Sequence, residues 1–249
     1  MIPDVVVDVG NTRIKFGRCT AAPGVAELAS LPPEDPTAWG SQIAAWGIRG
    51  GRFAMASVNP GRAATLRAWL EASGHHPVLI QDFAALPLRV DVDEPARVGI
   101  DRLLSATAAH RREPGRSLIV VAAGTAVTVD FVTAGGIFQG GAIFPGFGTM
   151  LHSLHQQTAQ LPAIALTEPV SRIVGRNTGE AMRSGVFAAV VGGIAFLAER
   201  GRPTLGDREP KLFVTGGDGP LLQGQLPFEA EFVPTLTLEG IRLTAEALP

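Results

Sequence analysis

The segment from Asp8 to Lys15 carries the residue types that a phosphate-binding turn requires. It follows an apolar β-branched run and contains Gly10, where the backbone can approach a bound group closely. Successive N–H groups in such a turn can hold phosphate oxygens, while Thr12 and Lys15 add a hydroxyl and a positive charge. Asp8 could hold Mg²⁺ through water, because this hard ion prefers oxygen ligands. An ordinary hairpin with a capping aspartate fits the same residues equally well.

A second group of candidate residues is Gly99-Ile100-Asp101-Arg102, which opens a segment of helical pattern through His110. An aspartate just before an apolar helical run is a routine helix N-cap. The same carboxylate could instead act as a general base, with Arg102 as a bidentate clamp for a substrate carboxylate. Gly99 would then permit close approach of the ligand. The residues alone leave both interpretations open.

Two glycine-rich segments offer further ligand contacts. Gly140 to Gly146 precedes a predicted helix and could seat an anion, whereas Thr215 to Gly219 follows a predicted strand and could pack against adenine or ribose. A structural turn explains each segment equally well. The sequence contains no Gly-x-x-x-x-Gly-Lys-Ser/Thr loop and no Gly-x-Ser-x-Gly elbow, which disfavours a P-loop NTPase and a serine hydrolase.

Composition is typical of a soluble globular protein with a substantial core. Of 249 residues, 46% are hydrophobic and 18% are charged, and the formal net charge is −2. No block of like charges interrupts the chain, so nucleic-acid binding lacks an electrostatic basis. The sequence therefore favours a protein that acts on small molecules.

Location is predicted from cysteine usage and from the apolar segments. Cys19 is the only cysteine, which excludes an internal disulfide and makes a reducing compartment the expectation. The N-terminus runs directly into a predicted strand, so we expect no signal peptide. The apolar stretch from Val186 to Ala198 falls short of the roughly 20 residues that span a bilayer. This stretch therefore predicts a buried helix rather than a membrane span. Together, the three observations predict a cytoplasmic protein that does not associate with membranes.

The elements that must position the candidate residues occur twice along the chain. An apolar run ends in a glycine turn and continues into an alternating run, once around Gly10 and again around Gly124. Aligning these glycines places Asp8 on Ala122. The repeat predicts two α/β lobes that face each other across a cleft, residues 1–114 and 115–249. The first lobe would carry the phosphate-binding hairpin, and the second would add nucleotide and substrate contacts.

Seven segments, in order and at plausible spacing, resemble the type III pantothenate kinase family. They are Asp8-Val9-Gly10-Asn11-Thr12, Ser57-Val58-Asn59-Pro60, Gly99-Ile100-Asp101-Arg102, Gly124 to Asp130, Gly140 to Gly146, Asn177-Thr178 through Ala181-Met182 and Gly185, and Thr215-Gly216-Gly217. The resemblance implies duplicated ribonuclease H-like domains of the actin-like ATPase fold. It also implies ATP-dependent phosphorylation of pantothenate, the first step of coenzyme A synthesis, by a homodimer whose site the partner subunit completes.

The resemblance assigns roles to individual positions. ATP phosphates would contact Asp8, Val9, Gly10, Asn11, Thr12, Arg13, Ile14 and Lys15, with Thr125 as a further ATP contact. Asp101 would accept the proton of the pantothenate hydroxyl, and pantothenate would be held by Gly99, Ile100, Asp101, Arg102 and Thr178. Mg²⁺ would accompany ATP and be held by Asp8 through water. A monovalent cation, K⁺ or NH₄⁺, is the family's further cofactor.

The chain departs from the family pattern at two positions. Ala122 stands where the family has the aspartate that binds the monovalent cation, and alanine has no side-chain ligand atom. Val92 stands where the family has a tyrosine that contacts pantothenate, and the sequence contains no tyrosine. Losing one hydrogen bond typically costs about 0.5–1.5 kcal/mol, so we expect weaker binding of pantothenate rather than none.

Two other functions fit the same residues. One is a non-catalytic regulatory relative that keeps the fold and nucleotide binding, which the loss of the aspartate at Ala122 would suit. The other is a kinase of the same fold that acts on another small anionic alcohol, which Arg102 would favour. The presence of Asp8, Lys15 and Asp101 together argues for an active enzyme, because a non-catalytic protein has no chemical need for all three.

Overall fold

The computed structural model describes residues 1–20, 24–206 and 209–248. The chain divides into two compact units, one made of Met1–Arg112 with Thr235–Pro249 and the other of Glu113–Pro234. Each unit has its own sheet and its own apolar core.

The strands and helices of the described residues follow the predicted alternation. The strands are β1 (Val5–Val9), β2 (Ile14–Cys19), β3 (Val25–Leu31), β4 (Arg52–Ser57), β5 (His76–Ile80), β6 (Arg89–Val90), β7 (Leu118–Ala123), β8 (Ala126–Val132), β9 (Ile137–Pro145), β10 (Lys211–Thr215) and β11 (Glu231–Phe232). The α-helices are α1 (Pro36–Ala45), α2 (Pro60–Ala72), α3 (Ile100–Arg112), α4 (Phe147–Gln157), α5 (Thr178–Gly201) and α6 (Leu236–Ala247). Short 3₁₀ helices cover Phe83–Ala85, Pro95–Arg97, Arg202–Leu205 and Gly219–Leu222.

The first unit is built on a five-stranded mixed sheet in the order β3-β2-β1-β4-β5. The predicted hairpin is present, since β1 pairs antiparallel with β2 from Val5↔Arg18 to Val9↔Ile14. On its other side β1 pairs in parallel with β4, with Val9 opposite Ser57. The ends of β1 and β4 therefore lie side by side at one edge of the sheet, which places the turn after β1 next to the start of α2.

The second unit repeats this strand arrangement. Strand β7 pairs antiparallel with β8 and parallel with β10, as β1 pairs with β2 and β4, and the full order of these strands is β11-β10-β7-β8-β9. In β7 and β8 the odd-numbered residues from Ile119 to Phe131 face a core that also contains the buried side of α5. The β7–β8 turn thus occupies the same place in this sheet as the β1–β2 turn in the first.

The C-terminal helix α6 belongs to the first unit, whereas the sequence analysis placed residues 115–249 together in the second lobe. Its buried side chains pack beside α3 and β1, and Gly240 lies so close to the Leu104 carbonyl oxygen that no Cβ would fit. Ser105 Oγ and Thr237 Oγ1 are 2.9 Å apart, and Arg112 forms a bidentate ion pair with Glu239 at 2.8 Å. These contacts are long-range, so the local pattern of the last segment could not reveal them.

Helix α5 is buried on one side only, so the prediction of a buried helix from Val186 to Ala198 holds for that side and not for the other. Met182, Val186, Val190 and Ile194 lie in the second unit's core, while Phe196 on the other side is 58% exposed. With the residues that follow it, Thr178–Leu205, it is long and apolar enough to cross a bilayer by length and composition alone. Core helices of soluble proteins meet the same criterion, so this is weak evidence for a membrane span.

Candidate active site

The β1–β2 turn is closed by its own backbone. The Gly10 N–H donates to the Arg13 carbonyl oxygen at 3.1 Å, and a Cβ on residue 10 would lie 3.0 Å from that oxygen. A side chain at this position would therefore crowd the turn. Asn11 and Thr12 at the tip are exposed to solvent.

Asp8 and Lys15 are direct partners across this hairpin, so their side chains lie on the same face of the sheet. Burial raises the pKa of Asp8 to about 6, against the lowering effect of the Lys15 ammonium and with a further rise from the charge of Asp101. A charge on one group changes the pKa of another appreciably only when the two groups are near each other. Asp8, Lys15 and Asp101 therefore share one electrostatic environment within the first unit.

Asp101 lies at the second residue of α3, so it is not the N-cap that the sequence also allowed. Its Oδ1 accepts a hydrogen bond from the Arg102 N–H at 2.9 Å. A Cβ on residue 99 would lie 2.6 Å from the same oxygen, so a side chain at that position would displace the carboxylate. Burial raises the pKa of Asp101, opposed by the Arg102 N–H and by the charges of Arg102 and Lys15. An enclosed carboxylate of raised pKa is suited to accept a proton.

The remaining predicted contacts of the first unit lie close in sequence to Asp101. Arg102 and Val92 are both partly buried, and Val92 lies between β6 and the 3₁₀ helix Pro95–Arg97. Ile100 is buried and begins α3. A valine side chain supplies an apolar surface at this position but no hydrogen-bonding group.

In the second unit, the β7–β8 turn is held by the start of α4. The Thr125 carbonyl oxygen accepts from the Gly146 N–H at 3.0 Å and from Thr149 Oγ1 at 2.6 Å. Gly146 lies so close to the Gly124 carbonyl oxygen that a side chain would not fit. The glycine-rich segment thus packs on the turn that carries Thr125.

Ala122 is near the end of β7, directly opposite Thr128 on β8. Its methyl group provides no oxygen for a cation. In the described residues no group of three or more His, Cys, Asp and Glu side chains is arranged to hold a metal ion.

Thr178 is the first residue of α5 and is exposed. The helix begins with a reciprocal cap, in which Asn177 Oδ1 accepts from the Glu180 N–H at 2.9 Å and Asn177 Nδ2 donates to Glu180 Oε1 at 2.9 Å. The cap fixes the backbone at Thr178 and leaves its hydroxyl at the helix surface.

The segment Ser57-Val58-Asn59-Pro60 contributes to the family resemblance, but the sequence assigned no role to it. In the structure, Ser57 and Asn59 contact the β1–β2 turn through their side chains. The parallel pairing of β1 with β4 makes this contact possible. The polar residues that follow the apolar run of β4 could have indicated a functional segment. The sequence did not show that they would contact the β1–β2 turn.

Comparison with known proteins places these features in a family. The family model for type III pantothenate kinase matches residues 5–200. A type III pantothenate kinase of Cupriavidus pinatubonensis is 31% identical over 286 residues, which cover 98% of this chain and 99% of the relative. A Campylobacter jejuni structure assigned to the Baf family of transcriptional activators aligns with a TM-score of 0.61, 19% identity and 97% of each chain covered. A Sinorhizobium meliloti structure assigned as a 2-dehydro-3-deoxygalactonokinase aligns with a TM-score of 0.56, 14% identity and coverage of 98% and 96%.

At these identities the two structures show the fold alone. They confirm the predicted fold of actin-like ATPases and sugar kinases, built here from two units that each contain a mixed sheet and helices. The family is one of soluble kinases that use ATP and, in general, a divalent metal. The Cupriavidus relative matches nearly the whole length of both chains and is a type III pantothenate kinase, which supports ATP-dependent phosphorylation of pantothenate as the activity. The chain belongs to the type III pantothenate kinase family.

Proposed function

We propose that this chain transfers the terminal phosphoryl group of ATP to the primary hydroxyl of pantothenate, with Asp101 as the proton acceptor. The hydroxyl oxygen forms a bond to phosphorus, the bond from phosphorus to the ADP oxygen breaks, and the hydroxyl proton passes to Asp101. The products are 4′-phosphopantothenate and ADP. The observation that carries this proposal is the common electrostatic environment of Asp8, Lys15 and Asp101.

The residues around Asp101 divide into a proton acceptor and charge-neutralising groups. Burial raises the pKa of Asp101, which makes its carboxylate a better proton acceptor than an exposed aspartate. Lys15 neutralises phosphate charge from the neighbouring strand. Phosphoryl transfer needs little covalent help from a protein, so positioning and charge neutralisation supply most of the rate.

A divalent ion fits beside Asp8. Burial raises the pKa of Asp8 and the charge of Asp101 raises it further, so a cation beside Asp8 would stabilise the ionised carboxylate. Asp8 would hold Mg²⁺ through water, since Mg²⁺ keeps much of its water shell and prefers oxygen ligands. Bound with ATP, Mg²⁺ supplies positive charge at the phosphates.

The substrate contacts follow the family positions. Residues 9–14 would provide backbone and side-chain donors to ATP phosphates, and Thr125 would add an ATP contact. Pantothenate would be held by the segment Gly99 to Arg102 and by Thr178, with Arg102 pairing with its carboxylate. Val92 would contribute an apolar surface only. These assignments rest on the positions at which the chain matches the family motifs.

An assay coupled to ADP release, with ATP, Mg²⁺ and pantothenate, tests this function. We expect turnover with pantothenate and none without it. ADP release with another small anionic alcohol but not with pantothenate would point to a different substrate. Nucleotide binding without turnover on any alcohol would point to a non-catalytic relative.

We expect the activity in the cytoplasmic fraction of the cell, because a chain with the single cysteine Cys19 suits a reducing compartment. Recovery of the activity only with membranes would contradict that location.

We expect the rate to depend little on K⁺. The family's monovalent cation does not fit here, because Ala122 offers no side-chain oxygen. Replacing K⁺ by Na⁺ at constant ionic strength should change kcat by less than about twofold, an effect smaller than that of one net hydrogen bond. Ala122→Asp is the matched variant and should introduce a preference for K⁺. A steep rise in the wild-type rate with K⁺ would contradict the expectation.

We propose that the enzyme is a homodimer and that the exposed face of α5 takes part in the interface. This face is made of small apolar residues and Phe196, and it continues into a groove of about 430 Å³ between α4 and α5 that Met150 and Leu154 help to line. A continuous apolar surface of this kind is rarely left in water, and two-fold dimers are the commonest assemblies.

Light scattering should give a mass of about 52 kDa, twice the 26.0 kDa of the chain. Phe196→Glu should shift the mass towards that of the monomer, because a charge would be desolvated in the interface. The matched control Phe196→Leu keeps an apolar side chain at the same position and should leave the mass unchanged. A fully active wild-type protein of 26.0 kDa would exclude the dimer.

A further inference from the structure

The segment that joins β4 to α2 contacts three consecutive residues of the β1–β2 turn. Ser57 Oγ lies 3.0 Å from the Val9 carbonyl oxygen, Arg62 Nη1 lies 3.5 Å from the Gly10 carbonyl oxygen, and Asn59 Nδ2 lies 3.2 Å from Asn11 Oδ1. The turn proposed to hold the nucleotide phosphates is therefore supported along its length by one neighbouring segment.

Asn59 is bonded at both ends of its side-chain amide. It is the N-cap of α2, and its Oδ1 accepts from the Arg62 N–H at 3.2 Å. Only the oxygen end of an amide can accept that bond. The other end of Asn59 must therefore be the NH₂ group, and it donates to Asn11.

The orientation of Asn59 fixes the orientation of Asn11. Because Asn59 presents a donor, Asn11 must turn its Oδ1 towards it. The NH₂ group of Asn11 then lies at the opposite end of that exposed side chain. An NH₂ group attracts a phosphate oxygen, whereas an amide oxygen in its place would repel it.

Ser57 makes this link more rigid. Its hydroxyl accepts from the Asn59 N–H at 2.9 Å while it contacts the end of β1. Arg62 also pairs with Glu34 at 3.4 Å, which restrains its guanidinium near Gly10. A preorganised turn loses less conformational freedom when a ligand binds, and the affinity for the ligand is higher as a result.

We propose that Asn59 is a positioning residue for the nucleotide: its amide connects the start of α2 to the β1–β2 turn and holds Asn11 with the NH₂ group available to a phosphate oxygen. This inference rests on the proposed function, because it takes the turn to be the ATP site. Asn59 itself acts only through Asn11 and the turn.

Asn59→Ser is the most informative variant. Serine caps a helix about as well as asparagine, so α2 keeps its N-cap while the donor to Asn11 is lost. We expect the KM for ATP to rise about 2- to 10-fold, the range for one net hydrogen bond, with the KM for pantothenate within about twofold of wild type. The thermal midpoint should stay within about 2 °C of wild type, because α2 keeps its N-cap.

Asn59→Asp provides a stronger test. Aspartate also caps α2, but it places a carboxylate oxygen opposite Asn11 Oδ1 and should raise the KM for ATP more than serine does, beyond about 10-fold. The matched control is Asp35→Ser at the N-cap of α1, where Asp35 Oδ1 accepts from the Ala38 N–H at 2.9 Å. This control alters a cap in the same unit and should leave both KM values unchanged.

A double-mutant cycle with Asn11→Ala decides whether Asn59 acts through Asn11. In the Asn11→Ala background, Asn59→Ser should have no further effect on the KM for ATP. An unchanged KM in Asn59→Ser alone, or an equal rise in both backgrounds, would overturn the proposal.

Calorimetric titration with Mg·ADP separates this inference from the proposed function. If the wild type fails to phosphorylate pantothenate, the proposed function is lost, yet a weaker Kd for ADP in Asn59→Ser than in Asp35→Ser would still support the inference. Equal Kd values in wild type and Asn59→Ser would overturn the inference even in an active kinase.

Discussion

Asp101→Asn should lower kcat about 10²–10⁴-fold, the range expected for loss of a general base. Asparagine has the same shape and can still accept the Arg102 N–H through its Oδ1, so the start of α3 should be unchanged. It cannot take the hydroxyl proton. The KM for ATP should remain within about threefold, because Asp101 contributes proton transfer rather than a phosphate contact.

The control for this variant is Asp91→Asn, which removes an exposed carboxylate from the same unit and should leave kcat unchanged. The measurement is steady-state turnover with saturating ATP and pantothenate. Turnover of Asp101→Asn within about threefold of wild type would remove this carboxylate from the mechanism. In the wild type, kcat should fall as the medium is acidified, and the fall should begin at a higher pH than for an ordinary aspartate because burial raises the pKa of Asp101.

Local pattern was sufficient to predict the hairpin that carries Asp8 and Lys15. A β-branched run, a turn that needs glycine and an alternating run together specify two antiparallel strands, and the register of β1 with β2 follows from the short turn. The resemblance to a family supplied the role of Asp101. Asp101 affects the pKa of Asp8 because of the way in which α3 packs within the first unit. The local sequence around neither residue shows that the two will lie near each other.

The misassigned features have the same physical origin. A helix near residues 236–247 shows its amphipathic pattern locally, but nothing local tells which sheet will bury its apolar side. A glycine such as Gly240 indicates that another part of the chain comes close. The sequence does not show that this part is the backbone of Leu104. In α5 the exposed side consists largely of alanine and glycine, which count as apolar, so the sequence predicted a buried helix without showing that one side is exposed. The Asn59–Asn11 contact was missed because it joins two loops across neighbouring strands.

Asp8→Asn should reduce turnover about 10²–10³-fold, the loss typical of removing one group that stabilises developing charge. The variant keeps the shape of the side chain and removes the negative charge that would attract a divalent ion. The KM for Mg·ATP should rise as well. Near-normal turnover at millimolar Mg²⁺ would show that Asp8 has no role at the metal.

The same variant should be more stable than the wild type at neutral and alkaline pH. Burial raises the pKa of Asp8 from 3.8 to about 6, so the folded state binds this proton more tightly than the unfolded state does. Above pH 6 the carboxylate is ionised in both states, and its ionised form is disfavoured in the folded protein. With partial exposure taken into account, the expected cost at pH 8 is about 1–3 kcal/mol, which asparagine avoids.

Urea unfolding of ligand-free protein at several pH values provides the measurement. Below about pH 4 the carboxyl is protonated in both states, so wild type and Asp8→Asn should be equally stable. The difference should grow between pH 4 and pH 6 and remain constant above pH 6, in favour of the variant. Saturating Mg·ATP should reverse the order, because only the wild-type carboxylate gains from the cation. If the variant were less stable than the wild type at pH 8, Asp8 would be retained for the stability of the fold. The expected result means instead that the protein accepts a less stable fold in order to keep a negative charge where the nucleotide binds.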